Sequence, residues 1–240
     1  MAKRKSHNSE DYWMSISDMM AGLMIIFMFI AISYMLNVRE EKQQIEDIAE
    51  KYALLKENLY IDLTQEFEED FEKWNAELDR KSLSIRFKEP EVFFESGESR
   101  LKRPFKDILS DFFPRYISIL NSPNYNDEIE EVRIEGHTSS EWGHEKGGLR
   151  SYYNNMELSQ ERTRSVLMYV MNLDSIATSR EWLMKHMTAN GLSFSHRIIV
   201  DGKEDYKKSR RVEFRVRTKA EKHIDKILEN RDKGAEDETN

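Results

Sequence analysis

The hydrophobic pattern of this chain changes character twice. From Met19 to Leu36 it has no period, and only Gly22 and Ser33 interrupt the apolar side chains. Taken from Trp13 to Leu36, the run makes about 24 residues of helix, about 36 Å at ~1.5 Å per residue. That is enough to cross a hydrocarbon layer roughly 30 Å thick with some tilt. A signal peptide is the competing reading, but its apolar core is about 7 to 15 residues and ends at a small-residue cleavage site. Here the run is longer and passes into NVREEKQQ. An uncleaved single-pass anchor over 13–36 is therefore expected, with Trp13 and Tyr34 at the two interfaces.

A period then appears. Ile45, Ile48, Tyr52, Leu55 and Leu59 follow steps of 3, 4, 3 and 4, a heptad seam. Leu63, Phe67, Phe71, Trp74 and Leu78 continue in steps of 3 or 4, and no Pro or Gly occurs between Asn37 and Lys88. This predicts one or two long amphipathic helices over 37–80. Self-association is the expected use of the seam. For its second half, a helix packed on its own domain stays open as the alternative.

Near Lys81 the period becomes 2. Leu83, Ile85 and Phe87 alternate with Ser84, Arg86 and Lys88, the pattern of a half-buried strand. PEVFFESGES reads as loop, and a helix follows from about Leu101 to Asn121. Ile129, Val132 and Ile134 lead to a strand ending at Gly136; Val166, Leu167, Val170 and Leu173 mark a helix over 159–173. A helix from Arg180 to Thr188 should stop at Asn190-Gly191, and Arg197–Val200 and Val212–Val216 read as strands. The order predicts an α/β (α+β) sandwich, with helices on one face of a mixed sheet over 81–218. A charged tail over 219–240 completes the expected plan.

Composition narrows the function classes. The 240 residues carry a net charge of −8, which argues against a general nucleic-acid binder. With no cysteine there is neither a disulfide framework nor a lipidated Cys. Lys3, Arg4 and Lys5 precede the apolar run, whereas Arg39 and Lys42 after it are mixed with acids. This bias favours a cytoplasmic N-terminal segment, 1–12, and a C-terminal bulk outside the cytoplasm.

Four places offer chemistry. Asp18 sits at the edge of the apolar run, where an ionised carboxylate at bilayer depth costs roughly 2.5 to 3.5 kcal/mol. It is either an N-cap at headgroup level or a group buried between helices, since Ala21, Gly22 and Ile25 share its helical face. In the second setting a desolvated carboxylate can load and release a proton under a transmembrane gradient. In NNMELSQERTRS, Ser159 suits a helix N-cap and Arg162 falls at N3, where a cation opposes the helix dipole. A ligand carboxylate gripped by its guanidinium would rationalise it, and so would a neighbouring Glu. His137 in IEGHTSSEW reads as a loop-orienting histidine; His144, His186 and His196 share no ligand-like spacing with it, so no metal is expected. KKSRRVEFRV is the cationic rim of a strand, with Arg211 able to help neutralise an anionic ligand. No nucleophile elbow or phosphate loop is present, so neither an enzyme nor a cofactor is expected.

Three stretches in order, IEGHTS (134–139), NMELSQER (155–162) and SRRVEF (209–214), resemble the peptidoglycan-binding domain shared by OmpA, Pal and MotB. The resemblance covers about 83–217 and implies that Asn155, Leu158 and Arg162 belong to the binding site, with Arg162 gripping a carboxylate of stem-peptide diaminopimelate. Where that family has an Asp to receive the ligand's amine, the uncharged Ser139 stands here, which implies either weaker affinity or another acid, such as Glu141, in its place. Tyr153 and Asn154 would add contacts beside them. A basic start, one apolar helix with an Asp, a helical linker and this domain resemble MotB, the stator subunit. The loop GHTSSEW and the short chain resemble, within that family, the ZorB component of Zorya anti-phage defence. The resemblance implies a proton- or sodium-carrying Asp18, and two copies of the subunit inside a pentameric MotA-like (ZorA-type) partner. A non-conducting tether between inner membrane and cell wall is the alternative.

Overall fold

The computed structural model describes residues 8–88, 93–95 and 97–219. The expected basic N-terminal segment lies mostly, and the charged tail almost wholly, outside these residues. Two compact units are distinguished, Met1–Glu50 and Lys51–Asn240.

The first unit is helical and belongs to helix α1 (Asn8–Phe71). Its best 18-residue window reaches a mean hydropathy of 2.3, the value of a helix able to cross a membrane. Met19, Met24, Phe27 and Phe29 are all more than half exposed. So continuous an apolar surface is unsuited to water, and lipid or other helices must cover it. Asp18 lies on the same exposed helix.

In the second unit the later residues of α1 behave differently. Leu59, Leu63 and Phe67 are fully buried in the core. This half therefore packs on its own domain, the alternative its spacing left open. The chain then forms β1 (Ala76–Asp79) and β2 (Ser84–Lys88), helix α2 (Arg103–Leu120), and β3 (Ile129–His137). A short hairpin, β4 (Glu141–Trp142) with β5 (Glu145–Lys146), precedes α3 (Gly148–Met171). Helix α4 (Arg180–His186) leads into β6 (Met187–Gly191). A second hairpin, β7 (Ile199–Val200) with β8 (Lys203–Glu204), a one-turn α5 (Tyr206–Ser209) and β9 (Arg211–Thr218) complete the described fold.

The main sheet runs β1-β2-β9-β3-β6, parallel only between β3 and β6, so it is mixed as expected. Alternation sorts its faces. Ile85, Phe87, Val132, Ile134, Val212, Phe214 and Val216 point to the helices, and all are buried. An aromatic cluster fills the middle: Phe214 meets Phe112 at 5.1 Å and Phe87 at 5.9 Å between ring centroids, edge to face. Arg115 of α2 ties in the end of α1, donating to Glu66 at 2.6 Å and Asp70 at 2.9 Å over the Phe67 ring.

Four local expectations are corrected. The helix expected to run to about residue 80 ends at Phe71, and Ala76–Asp79, which holds Leu78 of the expected helical seam, is strand β1 paired with β2. The helix read as starting at Ser159 starts at Gly148, because Gly147 and Gly148 take φ of 75° and 83° and open it after the hairpin. Ser159 is thus mid-helix, donating to the Met156 carbonyl, and Arg162 is far from the N-terminus, so the capping and dipole argument lapses. The helix from Arg180 ends at His186, and Met187–Gly191 is an edge strand beside β3. Pairing with β3 overrides the weak strand propensity of MTANG. Of Arg197–Val200, only Ile199–Val200 is strand, and it lies outside the main sheet.

Helix α3 approaches this edge very closely. A Cβ on Gly191 would sit 2.3 Å from the Gln160 backbone nitrogen, and one on Gly136 2.9 Å from the Ser159 carbonyl oxygen. Gly191→Ala is expected to force α3 off the strand and destabilise the fold by about 1 to 3 kcal/mol, read by denaturant unfolding against the wild-type chain.

Candidate ligand-binding site at the strand ends

The close packing of α3 on β3 and β6 brings the end of β3 beneath the middle of the helix. Leu192 N–H donates to the Gly136 carbonyl at 2.9 Å and Thr138 N–H to the Ser193 carbonyl at 2.8 Å, so β6 extends the support past the strand. Ser193 N–H in turn donates to Ser159 Oγ at 3.1 Å. The loop after β3 is then stitched to the first turns of α3. Ser151 Oγ donates to the Ser140 carbonyl at 2.9 Å, and Asn155 Nδ2 to the Glu141 carbonyl at 3.2 Å.

Between loop and helix lies a cleft of about 290 Å³, lined among others by Glu95, Thr138, Ser139, Glu141, Asn155, Leu158, Arg162 and Arg210. Arg162 is held in part by Glu98 and Phe94: its Nε donates to the Glu98 carbonyl at 3.0 Å, and its guanidinium lies 4.8 Å from the Phe94 ring centroid. Arg210 reaches from the start of β9, with Nη1 3.4 Å from Ser139 Oγ and 3.7 Å from Glu141 Oε2. Glu141 also faces Lys146 at 3.3 Å. Among the described residues the cleft thus carries two guanidiniums and two carboxylates together with the apolar Leu158. Such an arrangement can hold a ligand bearing both a carboxylate and an ammonium group.

The structure brings together Ser139, Asn155, Leu158 and Arg162 among the residues singled out from sequence. Tyr153 and Asn154 do not line the cleft; Tyr153 is 63% exposed and packs edge-on against Tyr152. Arg211 lies on the other face of the sheet, in a second cavity, where it donates to Glu213 at 2.5 Å and to the Ser209 carbonyl at 3.0 Å. Strand parity could have separated the two arginines, since Arg211 shares the phase of Glu213 and Arg210 that of the core-facing Val212 and Phe214.

Sequence reasoning missed Glu95, Arg210 and Glu204. The last comes from the β7–β8 hairpin. Its carboxylate accepts from Ser140 N–H at 2.9 Å and from Ser140 Oγ at 2.5 Å, fixing the loop that walls the cleft. No local spacing links Glu204 to Ser140, so no sequence signal could have shown the pair.

The second cavity gathers buried charge. His137 stands beside Glu135 and Glu213, and burial pushes its imidazole pKa below the ordinary value. Burial, the largest single influence, would raise the Glu213 carboxyl, but the basic groups beside it, Arg211 first and then His137 and Arg86, together outweigh this and hold it low.

These features define a class: an apolar helix of membrane-spanning length joined to an α/β domain with a charged cleft at its strand ends. The chain belongs to the ZorB family of Zorya proteins. It is 47% identical to the Zorya protein ZorB of Escherichia coli (strain Crooks) over 226 residues, 94% of this chain and 95% of that protein. No family model matches. Solved structures that resemble it are more distant. A putative MotB-like protein of Desulfovibrio vulgaris is 19% identical with a TM-score of 0.48, over 72% of this chain and 94% of that one. The cell wall anchor of the T6SS from Pseudomonas aeruginosa is 18% identical with a TM-score of 0.44, over 65% and 97%. Likenesses of this size carry no functional argument.

Glu204→Ala is expected to leave Ser140 N–H and Oγ without their acceptor and to loosen the cleft loop. The check is amide hydrogen exchange, which should rise at residues 138–142 while β2 and β9 keep their protection.

Proposed function

We propose that this chain is the cell-wall-anchored, ion-conducting subunit of a MotA/MotB-like inner-membrane complex serving anti-phage defence. The observation that carries the reading is the cleft. It places Arg162 and Arg210 within one cavity with Glu95 and Glu141. Diaminopimelate in a peptidoglycan stem peptide offers the matching pair, a free carboxylate and a free ammonium. Arg162 takes the carboxylate in a bidentate fork. Glu141 receives the ammonium in place of the uncharged Ser139, and Asn155 keeps the backbone that carries Glu141 in position.

The apolar helix supplies the other half. Asp18 and Gly22 share one face of α1, and a Cβ at Gly22 would meet nothing within 4 Å. A neighbouring helix can therefore come close, leaving the carboxylate in a protein interface instead of lipid. Two copies of the chain stand within a ring of a polytopic MotA-like partner. Asp18 takes up and releases a proton, changing its contacts with that ring, while the wall-bound domain keeps the unit stationary. The N-terminal segment is cytoplasmic and the α/β domain periplasmic. Membership of the ZorB family supports the setting.

Arg162→Ala is expected to weaken cosedimentation with purified sacculi about ten- to a hundredfold, as loss of a charge-assisted pair would. Unchanged sedimentation removes the anchoring role. Asp18→Asn is expected to abolish ion flux in proteoliposomes of the copurified complex while leaving assembly intact. Full phage protection by that variant would leave the non-conducting tether as the reading.

A further inference from the structure

The geometry points to a second carboxylate grip in the cleft, Arg210, which makes the ligand a peptide carrying two free carboxylates and one ammonium group. This rests on the reading of the cleft as a stem-peptide seat and gives Arg210 the part which that reading leaves open.

The two guanidiniums reach the cleft from separate elements. Arg162, in the middle of α3, is held at Glu98 and Phe94. Arg210, the residue before β9, lies at the loop after β3, its Nη1 3.4 Å from Ser139 Oγ and 3.7 Å from Glu141 Oε2. Its side chain is 23% exposed, so water screens its charge only in part. A carboxylate that takes one guanidinium in a bidentate fork uses both of its oxygens there. The ligand carboxylate on Arg162 therefore does not serve Arg210 as well.

The charge around Glu141 calls for a second anion. That carboxylate already faces two cations, Arg210 at 3.7 Å and Lys146 at 3.3 Å. A ligand ammonium seated on it brings a third positive charge, and like charges at such range repel. A second ligand carboxylate beside Arg210 offsets that repulsion and draws the guanidinium away from Glu141. Ser139 offers a hydroxyl and no charge, so it cannot take that part. Glu95, the other carboxylate lining the cleft, has Lys102 at 3.8 Å. A stem peptide built on diaminopimelate carries two further carboxylates near its zwitterionic centre, the α-carboxylate of D-glutamate and the C-terminal one. Either supplies the chemistry, and the experiment tells them apart.

The test uses the full chain in detergent and isothermal titration calorimetry with three synthetic peptides. One is L-alanyl-γ-D-glutamyl-meso-diaminopimelate; the others are the same peptide amidated at the D-glutamate α-carboxyl or at the C-terminal carboxyl. The wild-type chain is expected to bind the parent peptide and to lose about tenfold in affinity for one amidated form, which names the source. Arg210→Gln should bind the parent about tenfold more weakly and no longer distinguish that amide from it. Lys185→Gln, which removes an exposed charge on α4, should behave as wild type. Should Arg210→Gln fail to fold, the wild-type comparison of the three peptides carries the test. Equal wild-type affinity for all three overturns the second grip and leaves the stem-peptide reading standing. An amide penalty that persists in Arg210→Gln overturns the part given to Arg210. No binding of the parent peptide by the wild-type chain overturns the stem-peptide reading and the second grip with it.

Discussion

The α/β domain depends on how closely α3 can lie against the sheet. Gly136 and Gly191 face the helix backbone at Ser159 and Gln160, where a methyl group would overlap main-chain atoms. That proximity has a direct consequence for the cleft. It puts Asn155, Leu158 and Arg162, successive inward positions of one helix, over the end of β3 that carries Thr138 and Ser139. Glycine gives up side-chain packing to allow it, and the aromatic cluster around Phe87, Phe112 and Phe214 makes up the core a short distance away.

The sheet divides its labour by parity. One phase of β3 and β9 supplies Val132, Ile134, Val212 and Phe214 to the core; the other supplies Glu135, His137, Arg211 and Glu213 to a charged cavity on the opposite face. Burying so many ionisable groups is costly unless they pair. The Arg211–Glu213 and Arg86–Asp79 contacts meet that condition, while His137 lacks a hydrogen bond. Adjacent residues such as Arg210 and Arg211 consequently serve different sites, one at the cleft and one beneath it.

Helix α1 shows one seam meeting two fates. Ile45 at its start is exposed, whereas Leu59 at its end is fully buried together with Leu63 and Phe67. The heptad spacing across Ile45 to Leu59 is one continuous signal, because period reports only that one face is apolar. Which partner covers the face depends on what else the chain brings to it, here α2 with Phe112 and Arg115.

The sequence by itself determined the apolar span through its unbroken hydrophobicity, and the regularly alternating strands and the helix expected from about Leu101 to Asn121, observed over Arg103–Leu120, through the period that burying one face imposes. Through the resemblance carried by three ordered motifs it also singled out Ser139, Asn155, Leu158 and Arg162, which the fold gathers along one cleft. It could not show the start of α3 at paired left-handed glycines, nor β6, whose residues become strand only by pairing with β3. The tertiary structure alone decided that Arg210 and Glu95 join the cleft, that Glu204 holds Ser140, and that Glu213 meets Glu135 and His137. Those contacts join residues scores of positions apart through sheet register and hairpin placement, and no local pattern encodes a distance of that kind.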